Sequence, residues 1–144
     1  MNYAAEIQSE LLLLHDLNDY YRGFVVNNGL TQELIANTNS DFFKPSFWVK
    51  ENSNSVAEVD LTYKWKQYLI PVEVKSGAKG SLRSLHEYID SAPHDFAIRF
   101  LANKVSFETS KTRTGKIYRL LNLPYFAVSQ IDKYIDWAFD RKIV

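Results

Sequence analysis

Two acidic residues and a lysine stand at a spacing suited to metal-dependent hydrolysis: Asp60 and, thirteen residues later, Glu73-Val-Lys75. Carboxylate oxygens are the ligands that Mg2+ prefers, and the ion keeps several waters when only one or two carboxylates bind it. An ammonium two residues beyond the second carboxylate lies on the same face of a strand, about 6–7 Å further along. There it can orient or deprotonate a water that attacks phosphorus. The alternative is an exposed strand face with cross-strand ion pairs worth about 0–1 kcal/mol each, since the D-x(n)-E-x-K pattern also recurs by chance.

The residues around these acids predict two neighbouring strands joined by a polar turn near residues 64–67. Because side chains alternate between faces along a strand, Glu58, Asp60 and Thr62 would share one face. The opposite face of the first strand would carry an apolar set: Ala57, Val59, Leu61 and Tyr63. The second strand would place Ile70, Val72 and Val74 on one face, with Glu73 and Lys75 on the other. Glu58 would then be an auxiliary metal ligand or form an ion pair with Lys75 or Lys64.

Upstream of this hairpin, apolar residues at helical spacing predict helices over residues 4–17 and 20–36. Asp19 would cap the second helix, whose inward face would carry Phe24, Val25, Leu30 and Leu34. Aromatic residues predict a first strand over 42–51, interrupted by Pro45. We therefore expect N-terminal helices in residues 1–36 and a core in residues 37–144 of a single domain.

Downstream, Ser81 is placed to cap a helix that Pro93 ends, with Leu82, Leu85, Tyr88 and Ile89 on one face. A strand is predicted over 95–101, and a hairpin pairs 105–108 with 116–121 around a turn at 111–115. Ser129 and Asp132 are spaced as a capping box for the last helix. Its buried stripe would comprise Ile131, Tyr134, Ile135, Ala138 and Phe139.

Length and composition favour one compact α/β domain over residues 1–144, with 46% apolar and 15% aromatic residues. The absence of cysteine excludes a disulfide framework and thiolate metal sites, and the three histidines lack zinc-ligand spacing. No apolar run reaches membrane-spanning length, and the N-terminus lacks signal-peptide order, so we expect a cytoplasmic location and no membrane partner. The formal net charge is zero, so nucleic-acid binding would need a local basic patch.

One candidate patch lies at the start of the helix that follows Glu73-Val-Lys75. Backbone amides there, together with Lys79, Ser81 and Arg83, could hold a nucleic-acid phosphate; the alternative is an ordinary capped helix entry. The G-x-x-x-x-G-K-[ST] motif is absent from the chain, which excludes a P-loop ATP site. The run SKTRTGK at 110–116 is a second cationic segment, either a contact to a DNA backbone or a solvated hairpin tip.

Longer motifs surround the acid-acid-lysine pattern. Phe47-Trp48, EVD at 58–60, PVEVKSG at 71–77 and SLRSLHEYI at 81–89 follow one another, and Tyr21-Arg22-Gly23 and Gln32-Glu33-Leu34 lie upstream. From about residue 20 to residue 125 the chain resembles the C-terminal domain of unknown function that follows the ATPase module in many bacterial and archaeal AAA-family ATPases. Asp60, Glu73 and Lys75 resemble the core of the PD-(D/E)XK nuclease superfamily.

The resemblance implies a restriction-endonuclease-like α/β fold of three layers, with a mixed central sheet flanked by helices. It implies catalytic roles for Asp60, Glu73 and Lys75, with Mg2+ or Mn2+ bound by the two acids, and an ATPase module in cis or trans as partner. In active relatives a glutamate four residues after a helix glycine often completes the metal site, and the corresponding residue here is the uncharged Asn27. Two functions follow: a metal-dependent nuclease, or a catalytically inactive module that binds the ATPase, a partner protein or DNA.

Overall fold

The computed structural model describes residues 15–37, 46–52, 55–75, 81–102 and 105–141. Within these ranges the chain forms six strands, three α-helices and one 3-10 helix. In chain order they are α1 (His15–Asn37), β1 (Ser46–Asn52), β2 (Ser55–Trp65), β3 (Tyr68–Val74), α2 (Arg83–Ser91), β4 (Phe96–Leu101), β5 (Ser106–Lys111), β6 (Ile117–Pro124), the 3-10 helix (Tyr125–Gln130) and α3 (Ile131–Phe139).

The strands form one mixed sheet in the order β1-β2-β3-β4-β6-β5. β1, β2 and β3 make an antiparallel meander, and β5 pairs antiparallel with β6 at the opposite edge. β4 lies parallel to both β3 and β6 in the centre. Parallel neighbours need a crossover connection, and α2 lies in the connection from β3 to β4. The predicted α/β class with a mixed sheet flanked by helices is confirmed.

Buried side chains form two hydrophobic clusters, each with its own helices. The larger cluster joins alternate residues of the sheet to α1 and α3; its members include Leu30, Leu34, Ile70, Val72, Ile98, Phe100, Leu121, Leu123, Ile131 and Ile135. The smaller cluster joins the intervening sheet residues to α2; it comprises Val59, Leu85, Tyr88, Ile89, Ala97, Tyr118 and Leu120. Because strand side chains alternate between faces, the two clusters lie on opposite faces of the sheet.

A β-bulge in β2 changes the predicted faces of the first hairpin strand. Ser46 pairs with Thr62 but Trp48 pairs with Val59, so Asp60 and Leu61 together oppose one residue of β1. Val59 therefore packs in the smaller cluster, whereas Leu61 and Tyr63 pack in the larger one. The predicted single apolar face of β2 is wrong, because an extra residue in a strand reverses the alternation beyond it.

Helix α1 covers the second predicted helix, 20–36, and begins five residues earlier, at His15. It runs through Asp19 without interruption, so the predicted cap at this residue is wrong; residues 4–14 of the first predicted helix lie outside the described ranges. Leu30 and Leu34 are buried as predicted, but Val25 is 51% exposed and Val26 packs against the core instead. No helix in the described part of the chain is both long and apolar enough to cross a membrane.

The predicted strands are confirmed with shifted bounds. The hairpin turn is Lys66-Gln67, with Lys66 at φ 52°, and β3 alternates as predicted, with Ile70, Val72 and Val74 at the larger cluster. β1 begins at Ser46, and residues 42–45 lie outside the described ranges. β5 and β6 pair over six positions, from Ser106–Asn122 to Lys111–Ile117, a longer hairpin than predicted.

The chain after β6 departs from the predicted capping box. A 3-10 helix, Tyr125–Gln130, precedes α3, and the N-cap residue Gln130 makes no side-chain capping bond. Asp132 instead accepts a hydrogen bond from the Tyr63 hydroxyl at 2.8 Å. This bond ties the first turn of α3 to β2, so the carboxylate serves a tertiary contact rather than a local one. Ile131, Ile135 and Ala138 are buried as predicted.

Candidate metal-binding and catalytic site

Asp60 lies at the bulge of β2, where β2 and β3 stop pairing. The ladder between them ends at Leu61 and Val72, and beyond that point β2 continues alongside β1. The freed backbone N–H of Val74 donates to Asp60 Oδ2 at 2.8 Å. The carboxylate thus replaces a strand partner at the fork, and this bond holds it beside the end of β3.

Glu73 is buried next to this carboxylate. Its residue surface is 6% exposed, and one carboxylate oxygen forms an ion pair with Lys75. Burial, followed by the negative charge of Asp60, raises the pKa of Glu73 to about 6, while Lys75 and Arg99 act in the opposite direction. The other carboxylate oxygen, Oε2, is buried without a hydrogen-bond partner in the described structure. An unpaired anionic oxygen in a buried position is costly, so it is suited to accept a ligand.

Lys75 follows directly after β3, and its backbone is held on both sides. Its N–H donates to the Phe100 carbonyl at 3.0 Å, and its own carbonyl accepts a hydrogen bond from the Tyr125 hydroxyl. The side chain is 24% exposed. The ammonium is therefore positioned beside Glu73 while remaining accessible to water.

The predicted triad of Asp60, Glu73 and Lys75 thus comes together at one end of β3. Two carboxylates with an unpaired oxygen between strands are a donor set that fits Mg2+ or Mn2+, hard ions that retain waters. The described residues contain no group of three or more His, Cys, Asp or Glu side chains that could hold a metal ion, so a site rich in protein ligands is absent there. Asn27 is half-buried on α1, and its backbone carbonyl accepts a hydrogen bond from the Thr31 hydroxyl at 2.8 Å.

Glu58 does not form the ion pair predicted for it within the described residues. Its side chain is exposed, and its backbone N–H donates to Ser84 Oγ at 3.3 Å. Lys75 pairs with Glu73 and not with Glu58, and neither Glu58 nor Lys64 forms an ion pair with another described residue. The predicted ion pair of Glu58 is therefore wrong: Lys75 pairs with Glu73, two residues earlier in the chain.

The residues predicted to hold a nucleic-acid phosphate are only partly within the described structure. Lys79 lies outside it. Ser81 Oγ accepts the Arg83 N–H at 3.3 Å, although the N-cap position of α2 is Leu82. The Arg83 guanidinium pairs with Glu87 one turn later, also at 3.3 Å, and remains 45% exposed. Phosphate binding by these residues stays a prediction.

The cationic turn at 110–116 is docked onto the end of α2. Lys116 Nζ donates to the carbonyls of Ile89 and Ala92 at 2.6 and 2.7 Å. The Thr114 hydroxyl donates to Asp90 Oδ1 at 2.7 Å. One of its three cations therefore caps a helix C-terminus, where carbonyls lack intrahelical partners. The predicted solvated tip is an incomplete description of this turn.

Sequence reasoning missed a polar row that continues from Glu73 across the sheet. Glu73 pairs in register with Arg99, and Arg99 pairs with Asn122. Asn122 is fully buried and Arg99 has a side chain only 15% exposed. The signal was available in principle, since each residue interrupts an apolar strand: Arg99 in FAIRFL and Asn122 in IYRLLNLP.

A known protein family matches the part of the chain that contains most of these elements. No curated protein matches this sequence. A family model described as Domain of unknown function (DUF4143) matches residues 22–126, a range that runs from α1 into the 3-10 helix and includes Asp60, Glu73, Lys75 and Arg99. Because this match spans well over half of the 144 residues, the chain belongs to the DUF4143 family.

Proposed function

We propose that the chain is a metal-dependent phosphodiesterase domain of the PD-(D/E)XK nuclease type, with a restriction-endonuclease-like fold. Asp60 and Glu73 would hold Mg2+ or Mn2+, and Lys75 would orient or deprotonate the water that attacks phosphorus. The bound ion would supply stabilisation of the charge that develops on the phosphoryl group. By resemblance, the domain would act with a AAA-type ATPase module in cis or trans.

The observation that carries this proposal is the buried Oε2 of Glu73, which has no partner in the described structure and lies beside a second carboxylate. A purely structural carboxylate would be expected to satisfy both oxygens, because buried polar groups are nearly always hydrogen-bonded. The position of the group adds support. Asp60 sits at a bulge in the β1–β2 pairing, at the point where β2 also stops pairing with β3, and bulges are frequent next to active sites.

A second function from another class is an inactive interaction module of the same fold, which binds the ATPase, a partner protein or DNA. The ion pair between Glu73 and Lys75 favours it, because Lys75 partly compensates the charge of Glu73 without a metal. Asn27 favours it as well, because the resemblance aligns this uncharged residue with a glutamate that often completes the metal site in active relatives. The two functions make opposite predictions about metal binding and cleavage.

Metal binding is tested by thermal melting with millimolar Mg2+ or Mn2+. Ligand that binds only the folded state stabilises it, by about 2.7 kcal/mol at a hundredfold excess over Kd. We expect the melting temperature of the wild type to rise and that of Asp60→Asn to stay constant. Asparagine keeps an acceptor for the Val74 N–H, so this variant removes charge with little change of structure. Glu58→Gln, an exposed acid on the same strand, is the matched control and should respond like the wild type.

Cleavage is tested with end-labelled DNA and RNA in Mg2+ or Mn2+. We expect product from the wild type and at least a hundredfold less from Lys75→Met, the lower end of the range for a lost general acid–base group. Lys64→Met removes an exposed lysine of the same hairpin and should retain full activity. Metal binding without any cleavage would favour the inactive interaction module over the nuclease. A wild-type melting temperature that neither Mg2+ nor Mn2+ changes would contradict the proposed metal site.

A further inference from the structure

Beside the candidate site, a row of polar side chains crosses four strands of the sheet. The paired positions are Glu73 with Arg99, Arg99 with Asn122, and Asn122 with Ser106. Neighbouring strands are about 4.8 Å apart, and residues paired in register share a face. Arg99 therefore stands one strand away from Glu73, on the same side of the sheet.

The guanidinium of Arg99 is held in one orientation by a buried amide. Its Nε donates to Asn122 Oδ1 at 2.7 Å, and Nη2 lies 3.5 Å from Glu108 Oε1. Asn122 is itself fixed, because its Nδ2 donates to Glu108 Oε1 at 2.8 Å and to Ser106 Oγ at 2.9 Å. Asn122 and Glu108 thus contact the edge of the guanidinium that is formed by Nε and Nη2. Nη1 has no protein acceptor among the described residues.

The charges around this position suit an anion once a divalent ion is bound. Three carboxylates, of Asp60, Glu73 and Glu108, face two cations, Lys75 and Arg99, which sum to one negative charge when all are ionised. A divalent cation would change this sum to one positive charge. A phosphodiester carries one negative charge, so it is the ligand class that would neutralise the loaded site. Arginine presents several N–H donors in a fixed planar geometry, which matches phosphate oxygens.

We propose that Arg99, oriented by Asn122 and Glu108, binds a non-bridging phosphate oxygen of a nucleic-acid backbone through Nη1. This inference rests on the proposed function of the neighbouring site and names a group that positions its substrate. The residue would bind without regard to sequence, because phosphate contacts carry no base information. A purely structural Arg99 would neutralise Glu73 and Glu108 and would not contact substrate.

The experiment measures binding of a fluorescent DNA duplex in Ca2+ at several salt concentrations, by anisotropy. Each phosphate contact contributes about one unit to the slope of log affinity against log salt. We expect Arg99→Gln to lower this slope by about one and the affinity at ~0.1 M salt by roughly tenfold. Lys66→Gln removes a cation at the far end of β3 and should leave both quantities unchanged.

Arg99→Lys keeps the positive charge but removes the planar guanidinium, so it distinguishes the role of the charge from that of the guanidinium geometry. It can also be measured if Arg99→Gln fails to fold. It should keep the salt slope while the affinity falls, because an ammonium retains the charge but loses the orienting bonds to Asn122 and Glu108. An Arg99→Gln protein that is folded by its melting curve and keeps the slope of the wild type would overturn the inference. Absence of DNA binding by metal-loaded wild type would do so too. The proposed function fails separately, when the metal titration shows no binding.

Discussion

At Glu73 the burial of an ionisable side chain lowers the stability of the folded protein. Its ionised carboxylate is buried beside Asp60, and the attraction of Lys75 only partly compensates, so its pKa rises to about 6 from 4.5. A raised pKa means that the folded state disfavours the charged form. At pH well above 6 this rise in the pKa of Glu73 corresponds to roughly 2 kcal/mol of lost folding stability, since each pKa unit is worth about 1.36 kcal/mol.

Glu73→Gln should therefore stabilise the protein at neutral pH in the absence of metal, by up to about 2 kcal/mol. Glutamine keeps the shape of the side chain and removes the charge that the fold disfavours. Urea unfolding at pH 7.5 measures the difference, and the exposed Glu58→Gln should change stability by less than about 0.5 kcal/mol. A marked destabilisation by Glu73→Gln would instead identify the ion pair with Lys75 as a structural element and favour the inactive module.

Among the helices and strands, side chains of one element form hydrogen bonds with groups near the end of another. Asp60 replaces a strand partner for Val74, and Asp132 joins α3 to Tyr63 of β2. Lys116 supplies two charged donors to the last carbonyls of α2. Helix C-termini attract cations because their free carbonyls carry partial negative charge. These contacts join the α2 layer to the β5–β6 hairpin and the α3 layer to the β2–β3 hairpin.

Lys116→Met should destabilise the protein by about 1–3 kcal/mol, because it leaves the carbonyls of Ile89 and Ala92 without these donors. Methionine retains most of the aliphatic length, so packing changes little. Lys111→Met, at an exposed position of the same hairpin, is the control and should stay within about 0.5 kcal/mol of the wild type. Equal unfolding midpoints for the two variants would show that the Lys116 cap contributes nothing measurable.

At the scale of the whole molecule, a buried histidine links β3, the end of the α2 crossover and β4. His94 Nε2 donates to the Leu69 carbonyl at 2.8 Å, and its Nδ1 accepts the Phe96 N–H at 3.3 Å. These two bonds require the neutral ring with its proton on Nε2. Burial lowers the pKa of His94 below 6.5, and nearby Lys116 and Arg119 act in the same direction against Leu69 and Asp95.

Global stability should therefore fall as the pH drops from about 7.5 to 6. The unfolded chain binds a proton at His94 near pH 6.5 while the folded chain does not, so acid favours unfolding. Glu73 has the opposite sign, because its raised pKa makes the folded state bind the extra proton below about pH 6. Melting temperatures in this window measure the effect, and His94→Gln should make the curve less steep. His86, whose pKa burial also lowers, should preserve part of the slope. A curve that is flat in the Glu73→Gln variant, where the opposing group is absent, would contradict the lowered pKa of His94.

Elements with local sequence signals were predictable from the amino-acid sequence alone. β3 was predicted with the correct faces, because alternating apolar residues must be buried whichever strand lies beside them. α2 and β4 were also predicted closely, since apolar spacing and Pro93 mark their bounds within a few residues. The same alternation placed Glu73 and Lys75 on one face of the predicted strand, although the pairing predicted for Lys75 was with Glu58 and the observed ion pair is with Glu73.

The positions at which the remaining polar groups meet depend on how separate strands pair in the folded chain. The bulge at Asp60 exists because β1 pairs out of step with β2, and strand register depends on contacts between separate segments. Arg99, Asn122 and Glu108 come from three strands that become neighbours through a crossover and a hairpin, so no spacing within one segment could reveal their network. Local patterns specify which face of a strand is buried, whereas strand order and register specify which charges share that face.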